Sequence, residues 1–481
     1  MNPTLRKYLS LIVLGFSGGA IYCLPYIKYV FYDAMLDVMH ISNAQSGFLL
    51  SMYAFVCIFL YIPGGILADK VSSKKAIILS LLGTAAVTVI FMLTFSYPVA
   101  LGVWFLFAFG SGFVFWSAIL KAVRMIGTEQ EQGFMYGVYY AANGAGGAIT
   151  NAIALKVFDG FDNARDGMFW ALLVMIAAMV VAAVLLQMLL RESSRETPDS
   201  EKFHFADLGT VFRNPTIWLI SLVFFCVYGV YSCASFFTPY LTDVIGFDTT
   251  TAGYLQIVRS YVVMLVAAPL GGFIADRLCK STLKWFAIGG TVLGLSILAV
   301  ILVGPDASGW LVAVLTLIPG LFAMCLYGVM FSSMHEIDIP VKVGGTAIGI
   351  ASIVGYLPDV ILQPFFGGLI DAKGNGGYTE IFWFLTAFCV VTVVISYGLY
   401  RNFPPPCAGQ REIGRGHGLT GPAERHDSVR RAAAARRGPA NQSQYHLSQQ
   451  QRASISWAPH TRSCWMPSRR CATTRSQSRS T

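Results

Sequence analysis

The chain has little charge for its length and lacks the motifs of an enzyme. Only 12% of its 481 residues are Asp, Glu, Lys or Arg, whereas 55% are hydrophobic. Soluble domains carry charge on about a quarter of their residues, so this composition excludes an ordinary soluble protein. The sequence contains no nucleophile elbow, phosphate-binding loop or metalloprotease motif. We therefore predict a membrane protein that is not an enzyme and uses no cofactor.

Neither the cysteines nor the histidines form a recognisable site. Seven of the ten cysteines lie in or beside apolar segments, and none has the spacing of a disulfide framework or a metal site. His335, Glu336 and Asp338 stand close together after an apolar segment. Such a group is more typical of a solvated helix cap than of a metal site, so we predict no metal.

The basic character of the chain belongs to its C-terminal end. Residues 401–481 hold 14 arginines, no lysine and three acids, which leaves the first 400 residues with a net charge of −2. Nucleic-acid binding is therefore not indicated for the apolar part. We predict that residues 403–481 form a disordered Arg-rich tail that could bind anionic lipid headgroups. The abrupt change in composition also fits a segment that is not native to the protein.

Apolar segments long enough to cross a bilayer recur along the chain. The twelve predicted spans are 8–32, 46–68, 76–96, 99–120, 134–157, 168–190, 216–240, 252–275, 284–304, 309–334, 344–370 and 378–400. A polar interruption over 191–215 divides them into two sets of six. We predict an N-terminal six-helix bundle over 1–190, a linker over 191–215 and a C-terminal six-helix bundle over 216–402. Glycines and Pro25 in the first span predict that this helix bends.

The basic residues of the apolar part cluster in alternate loops. The clusters are Arg6, Lys7, Lys70, Lys74, Lys75, Arg191, Arg195, Lys202, Arg213, Arg277, Lys280 and Lys284. Because cytoplasmic loops are rich in Lys and Arg, this pattern predicts that both termini are cytoplasmic. We expect a multi-pass, monomeric protein of a bacterial inner membrane, with the lipid bilayer as its partner.

One stretch of sequence occurs twice. Residues 63–75, with the sequence PGGILADKVSSKK, have a counterpart at residues 269–280, with the sequence PLGGFIADRLCK. The interval from Gly47 to Asp69 is 22 residues, and the equivalent interval from Gly253 to Asp276 is 23 residues. Small residues at helix spacing allow two membrane helices to approach closely. The repeat predicts two homologous halves that differ here by one residue, which the alignment places at Leu270.

The repeated stretch resembles the signature loop of the major facilitator superfamily, G-x-x-x-D-[RK]-x-G-x-[RK]-[RK]. The first copy matches at Gly65, Asp69, Lys70, Lys74 and Lys75, with Ser72 in place of the second glycine, and the second copy matches at Gly272, Asp276 and Arg277. The resemblance covers residues 1 to 402. It implies an all-α membrane protein of twelve helices in two bundles, with a substrate site between the bundles and transport by alternating access.

Charged residues inside apolar segments are the main candidates for substrate binding, because each costs about 2.5 to 3.5 kcal/mol at a helix centre. Arg259 lies in the eighth span with no acid one turn away. Lys28 lies among aromatic residues late in the first span. Its surroundings are similar to those of the first-helix arginine of organophosphate antiporters. Pairing with Asp33 at the membrane surface is the alternative for Lys28, and a buried structural pair is the alternative for Arg259.

Four further residues complete the predicted substrate site. They are Tyr29, Tyr53, Asn143 and Asp359. The glycine-rich stretch around Asn143 resembles those of nitrate/nitrite porters and organophosphate antiporters, although close helix packing would also explain it. Asp359 follows Pro358, which interrupts the helical hydrogen bonds, and it is a candidate counter-ion for Arg259 or a proton-binding group.

Cations with few intramembrane carboxylates favour a negatively charged substrate. We predict a secondary transporter of a small anion, such as an organic phosphate or a carboxylate, with or without a co- or counter-transported ion. One alternative is a proton-coupled importer of a neutral solute that uses Asp359. Another is a non-transporting receptor built on a transporter scaffold.

Overall fold

The computed structural model describes residues 2–126, 132–190, 212–337 and 344–403, which form helices and short turns without a β-strand. We label twelve long helical segments in chain order. They are α1 Pro3–Tyr22, α2 Asn43–Lys70, α3 Ser73–Thr94, α4 Tyr97–Ile126, α5 Gln132–Phe158, α6 Ala164–Leu189, α7 Pro215–Asp243, α8 Thr249–Cys279, α9 Thr282–Val303, α10 Gly309–Tyr327, α11 Gly344–Lys373 and α12 Gly376–Asn402. The predicted tail lies outside the described residues, as does most of the predicted linker.

Ten of these helices are long and apolar enough to cross a membrane. The other two are α1, which carries Arg6 and Lys7 in its first turns, and α5, which is rich in glycine. Side-chain oxygens accept hydrogen bonds from the first backbone amides of several helices, as Ser72 does for α3 and Asn214 does for α7. The prediction of an all-α membrane protein is confirmed.

The buried apolar side chains form two clusters that follow the two halves of the sequence. One cluster is built from residues between Leu11 and Leu190, together with Ile257. The other is built from residues between Ile217 and Leu399. We refer to α1–α6 as the N-terminal half and to α7–α12 as the C-terminal half. The division into two six-helix bundles stays a prediction that these two clusters support.

The repeated glycines bring two helices into backbone contact at equivalent places. A Cβ atom at Gly64 of α2 would overlap the backbone oxygen of Phe113 in α4, and one at Gly271 of α8 would overlap the backbone oxygen of Cys325 in α10. The next glycines, Gly65 and Gly272, face open space, with no atom nearer than 3.8 Å to an added Cβ. Close packing therefore depends on the glycine before the one in the signature motif.

The halves contact each other at one end of the molecule, which we call the distal end. It carries the α1–α2, α5–α6, α7–α8 and α11–α12 loops. Here Asp371 of α11 accepts hydrogen bonds from the backbone N–H and the side-chain amide of Asn43 (3.0 and 2.8 Å) and from the N–H of Ala44 (2.8 Å), which begin α2. A second contact joins the Thr250 hydroxyl of α8 to Asp159, which directly follows α5 and accepts its hydrogen bond (2.9 Å).

These two distal contacts are equivalent in the internal repeat. Gly133 and Gly137 have the same spacing as Gly345 and Gly349, and with these pairs aligned Asp159 and Asp371 both lie 26 residues after the first glycine. Further hydrogen bonds join Tyr26, Lys28, Tyr29 and Ser51 of the N-terminal half to residues of α7 and α11. The two halves therefore meet at the distal end, which we call closed.

Candidate functional site

A break in the first span directs Lys28 into the protein. Helix α1 ends at Tyr22, a 3₁₀ turn covers Ile27–Tyr29, and a short helix follows at Tyr32–Met39. Pro25 lies in the break, and its free carbonyl oxygen accepts a hydrogen bond from the Trp104 indole (3.1 Å). The predicted bend is confirmed.

Lys28 is buried, with 2% of its surface exposed. Its ammonium donates a hydrogen bond to the side-chain oxygen of Gln363 in α11 (2.9 Å). It also lies 5.0 Å from the ring centre of Phe236 and 5.3 Å from that of Tyr32, within the range of cation–π attraction. Lys28 therefore faces the boundary between the halves, and its described hydrogen-bond partner is a neutral group rather than Asp33.

Asp359 of α11 is equally buried and takes its hydrogen bonds from hydroxyl groups. Tyr228 (2.6 Å) and Tyr26 (3.3 Å) donate to one carboxylate oxygen, and Ser232 donates to the other. Tyr26 belongs to the N-terminal half, and the other two donors belong to α7. Within the described residues, Asp359 does not form the predicted ion pair with Arg259.

A chain of hydrogen bonds joins the cation to the carboxylate. Ser232 has one hydroxyl hydrogen, which it gives to Asp359, so it accepts from the Gln363 amide (3.0 Å) and from the Tyr29 hydroxyl (3.3 Å). The Gln363 amide oxygen in turn faces Lys28. Two neutral side chains therefore separate Lys28 from Asp359.

Arg259 lies in a π-helical turn of α8, Val258–Val262, and is 3% exposed. Its guanidinium donates to the Thr316 backbone oxygen (3.2 Å), the Thr316 hydroxyl (2.8 Å) and the Gln256 side-chain oxygen (2.6 Å). It also lies 5.2 Å from the ring centre of Phe237. These partners are all neutral and all belong to the C-terminal half.

The two cations lie against neighbouring residues of α7, since Lys28 contacts Phe236 and Arg259 contacts Phe237. The Thr238 hydroxyl lies within hydrogen-bond distance of the Gln256 side-chain oxygen (3.1 Å) and of the Tyr29 backbone oxygen (3.2 Å). Gln256 thus connects the surroundings of Arg259 to the N-terminal half. This region holds two buried cations and one buried carboxylate.

Tyrosines surround this charged region from both halves. The Tyr53 hydroxyl is within hydrogen-bond distance of the Ser111 hydroxyl (2.9 Å), and the Tyr53 ring packs edge-on against Tyr26 with ring centres 5.8 Å apart. In the C-terminal half, Tyr231 stacks on Tyr327 with ring centres 4.6 Å apart. The structure thus brings four of the predicted site residues, Lys28, Tyr29, Tyr53 and Asp359, into one connected cluster, with Arg259 beside it.

Asn143 lies in a different environment, at the contact between α5 and α1. Its side-chain amide occupies the space where a Cβ atom at Gly18 would lie, and its backbone oxygen packs against Gly19. Gly15 lies equally close to the backbone of α5 at Tyr139. This placement matches the helix-packing alternative for the glycine-rich stretch.

The signature-loop residues lie at the end opposite the distal end. Lys74 donates to the backbone oxygen of Gln187 at the end of α6 (2.7 Å), while Lys70, Asp276 and Arg277 are exposed. The side chain of Asp69 lies outside the described residues. Glu336 accepts hydrogen bonds from the Ser281 hydroxyl (2.6 Å) and from the first amides of α9, which is a helix-capping role. Asp338 lies outside the described residues.

Sequence reasoning missed the neutral residues that bind the charged ones. They are Gln256, Thr316, Tyr228, Ser232 and Gln363. Helical spacing contained a signal for Gln256, which precedes Arg259 by three residues, whereas Gln363 binds Lys28 of the other half and gave none. Thr316, Tyr228 and Ser232 lie on other helices and gave no such signal.

Known proteins share this architecture. A family model described as Major Facilitator Superfamily matches residues 9–362. The inner membrane protein YqcE of Escherichia coli K12 is 28% identical over 82% of this chain and 95% of its own length. The probable sulfoacetate transporter SauU of Cupriavidus necator is 25% identical over 70% of this chain and 81% of its own length.

A solved structure with a similar fold is a bacterial homologue of the human lysosomal transporter Spinster, in an inward-facing and occupied conformation. It has a TM-score of 0.64 and 16% identity, and the match covers 84% of this chain and 98% of that structure. The family match, the twelve helices and the duplicated signature loop agree. This chain belongs to the major facilitator superfamily.

Proposed function

We propose that the protein is a secondary transporter that moves a small organic anion across the membrane by alternating access. The observation that carries this proposal is the net charge of the cluster formed by Lys28, Arg259 and Asp359. Lys28 and Arg259 are buried and donate hydrogen bonds to neutral groups, and Asp359 is the one buried carboxylate in the cluster. Two cations against one carboxylate leave net positive charge, which an anion would neutralise.

The position of Lys28 makes it the primary contact for the anion. Its hydrogen-bond acceptor and one of its aromatic neighbours belong to the opposite half, so it lies where the two halves meet. Arg259 lies against Phe237, the residue after the Phe236 that Lys28 contacts, and its hydrogen-bond partners belong to its own half. We assign it a supporting electrostatic role. The similarity to SauU, a probable sulfoacetate transporter, supports an organic anion as the class of substrate.

The closed distal end fits one state of an alternating-access cycle. The alternation of basic loops predicts that the distal end faces the outside of the cell. Contact between the halves at this end fits an inward-facing state, which is the conformation of the Spinster homologue. The positive cluster would be reached from the cytoplasm in this state and from the outside after the halves rearrange.

Counterflow in proteoliposomes tests the proposal. The purified protein is reconstituted, and exchange of sulfoacetate, glycerol 3-phosphate, lactate and nitrate is compared with exchange of the neutral sugar glucose. We expect exchange of at least one anion and none of glucose. Lys28→Gln should raise KM for that anion about tenfold or more, because hydrogen bonds to charged groups are worth about 1.5 to 3 kcal/mol.

Lys373→Gln is the matched control, because Lys373 is an exposed distal lysine paired with Glu380 (2.5 Å). It removes the same charge away from the cluster and should leave KM unchanged. Uptake of glucose that is driven by a proton gradient would favour the neutral-solute alternative. Binding of an anion without any flux would favour the receptor alternative. Anion exchange with an unaltered KM in Lys28→Gln would show that Lys28 is not the primary contact for the anion.

A further inference from the structure

We propose that Gln363 is a positioning residue whose amide oxygen occupies the place of the anion at Lys28, so that a bound anion must displace it. This inference rests on the proposed function and adds how binding is coupled to movement of the halves. The Lys28 ammonium donates to the Gln363 oxygen at 2.9 Å, and both side chains are buried. Among the described residues, Gln363 is the one hydrogen-bond acceptor of the Lys28 ammonium, and a charged acceptor would bind that ammonium more strongly.

The orientation of the Gln363 amide is held from its other side. Its nitrogen donates to the Ser232 hydroxyl (3.0 Å), and that hydroxyl gives its only hydrogen to Asp359. Because Ser232 can then only accept from Gln363, the amide must present its oxygen to Lys28. Ser232 and Asp359 thus keep an acceptor in front of Lys28 while the site is empty. They also prevent a direct ion pair between Lys28 and Asp359.

The backbone of Gln363 lies at the contact between the halves. A Cβ atom at Gly47 of α2 would overlap the backbone oxygen of Gln363, so the two helices touch at this residue. One turn earlier in α11, the Ser51 hydroxyl donates to the Val360 backbone oxygen across the same contact (2.5 Å). The side chain of Gln363 therefore joins the 3₁₀ turn after α1 to α11, beside the point where α2 also meets α11.

Displacement of Gln363 from Lys28 would weaken the contact between the two halves. An anionic oxygen binds an ammonium more strongly than an amide oxygen does, so an anion can replace Gln363 at Lys28. The Lys28–Gln363 hydrogen bond is then lost, and with it one of the bonds that hold the two halves together. Substrate binding would thus lower the stability of the closed state relative to the open one, which is the difference that a transport cycle requires.

Two substitutions at Gln363 should change anion binding in opposite directions. Gln363→Met keeps the length of the side chain but removes the strong acceptor, so Lys28 has no internal competitor. We expect the dissociation constant of the anion to fall about tenfold. Gln363→Glu places a carboxylate against Lys28, and we expect the dissociation constant to rise about tenfold or more. Binding of sulfoacetate, glycerol 3-phosphate, lactate and nitrate is measured by calorimetry, and KM and kcat of exchange are measured in proteoliposomes.

In Gln363→Met, KM should fall together with kcat, because binding no longer breaks a bond that holds the two halves together. A purely structural role predicts weaker binding and lower thermal stability in both variants. Weaker binding in Gln363→Met than in the wild type would overturn the inference while leaving the transporter assignment intact. If the wild type binds none of the four anions, the proposed function fails first. Gln363→Leu replaces Gln363→Met if the latter does not fold, with the same expected direction.

Discussion

Substitution of Asp371 should weaken the contact between the halves at the distal end, because Asp371 of α11 accepts hydrogen bonds from the first residues of α2. Four backbone amides at the start of α2 need acceptors, and that of Ser42 donates to the Gln45 side-chain oxygen (2.9 Å). Ser42 supplies one within the helix, because its hydroxyl accepts from the N–H of Gln45 (3.2 Å). Asp371 of the other half supplies the acceptors for the amides of Asn43 (3.0 Å) and Ala44 (2.8 Å), and it also binds the Asn43 side chain (2.8 Å). Separation of the halves at this end removes the Asp371 cap but leaves the Ser42 cap in place.

The size of the effect follows from the energetics of helix capping. These hydrogen bonds are exposed, so values for buried charges do not apply. Removal of an N-terminal cap costs about 0.5 to 2 kcal/mol. With two amides and one side chain released together, Asp371→Ala should destabilise the closed state relative to the open one by about 1 to 2 kcal/mol. The ratio of open to closed molecules would then rise about five- to thirtyfold.

A cysteine at Leu155 reports on the same opening from the other side of the molecule. Leu155 is buried against Gly253 across the α5–α8 contact, so a thiol there should react with a membrane-impermeant maleimide only after the distal end opens. In the Leu155→Cys background, Asp371→Ala should accelerate alkylation about fivefold or more. Asn163→Ala, which removes a cap of α6 at the Arg165 N–H (3.0 Å) within one half, should leave the rate unchanged. Equal rates with and without Asp371→Ala would refute the reasoning.

Two further predictions concern stability. Gly64→Ala should lower the free energy of unfolding by about 1 to 3 kcal/mol, because its Cβ would overlap the backbone of Phe113, whereas Gly65→Ala should be tolerated. Thermal unfolding in detergent compares the two, and equal melting temperatures would contradict the assigned packing. Asp248→Ala should cost about 1 kcal/mol, since Asp248 caps α8 through the Thr251 amide (2.8 Å). Hydrogen bonds from the Thr251 side chain and backbone lower the pKa of Asp248, so this stabilisation is present near neutral pH and is lost as the pH falls through the lowered pKa. A pH titration of the melting temperatures of the wild type and Asp248→Ala should show the two curves converging in acid, and parallel curves would count against it.

The spans were predictable because apolar composition and length determine them directly. The predicted third span, 76–96, overlaps most of the observed Ser73–Thr94, and the predicted sixth, 168–190, overlaps most of Ala164–Leu189. The first span was the least accurate, since the prediction of 8–32 missed that the helix already ends at Tyr22. The break depends on how Pro25 packs against Trp104, which is a contact between distant parts of the chain.

The candidate site was predictable only in part, for a physical reason. Lys28, Arg259 and Asp359 stand out in a sequence because charge is rare in apolar segments. Their partners are not rare there, so nothing in the sequence showed that Thr316 of α10, rather than Asp359 of α11, would bind the guanidinium. The pairing of two buried charges depends on how the helices are rotated about their axes, which hydropathy does not report.

The sequence alignment places the one-residue difference between the halves at Leu270, but the structure accommodates it earlier, in the π-helical turn that holds Arg259, because Gly271 keeps the contact equivalent to that of Gly64. A π turn accommodates a single inserted residue without shifting the rest of the helix around its axis. The turn at Val258–Val262 lies between Gly253 and Gly271, where the spacing in α8 exceeds that in α2 by one. An ancestral duplication followed by one insertion would therefore have left both flanking glycines in their original contacts. The same insertion would have formed the π turn that carries Arg259 in the second half. The equivalent residue of the first half, six residues after Gly47, is Tyr53.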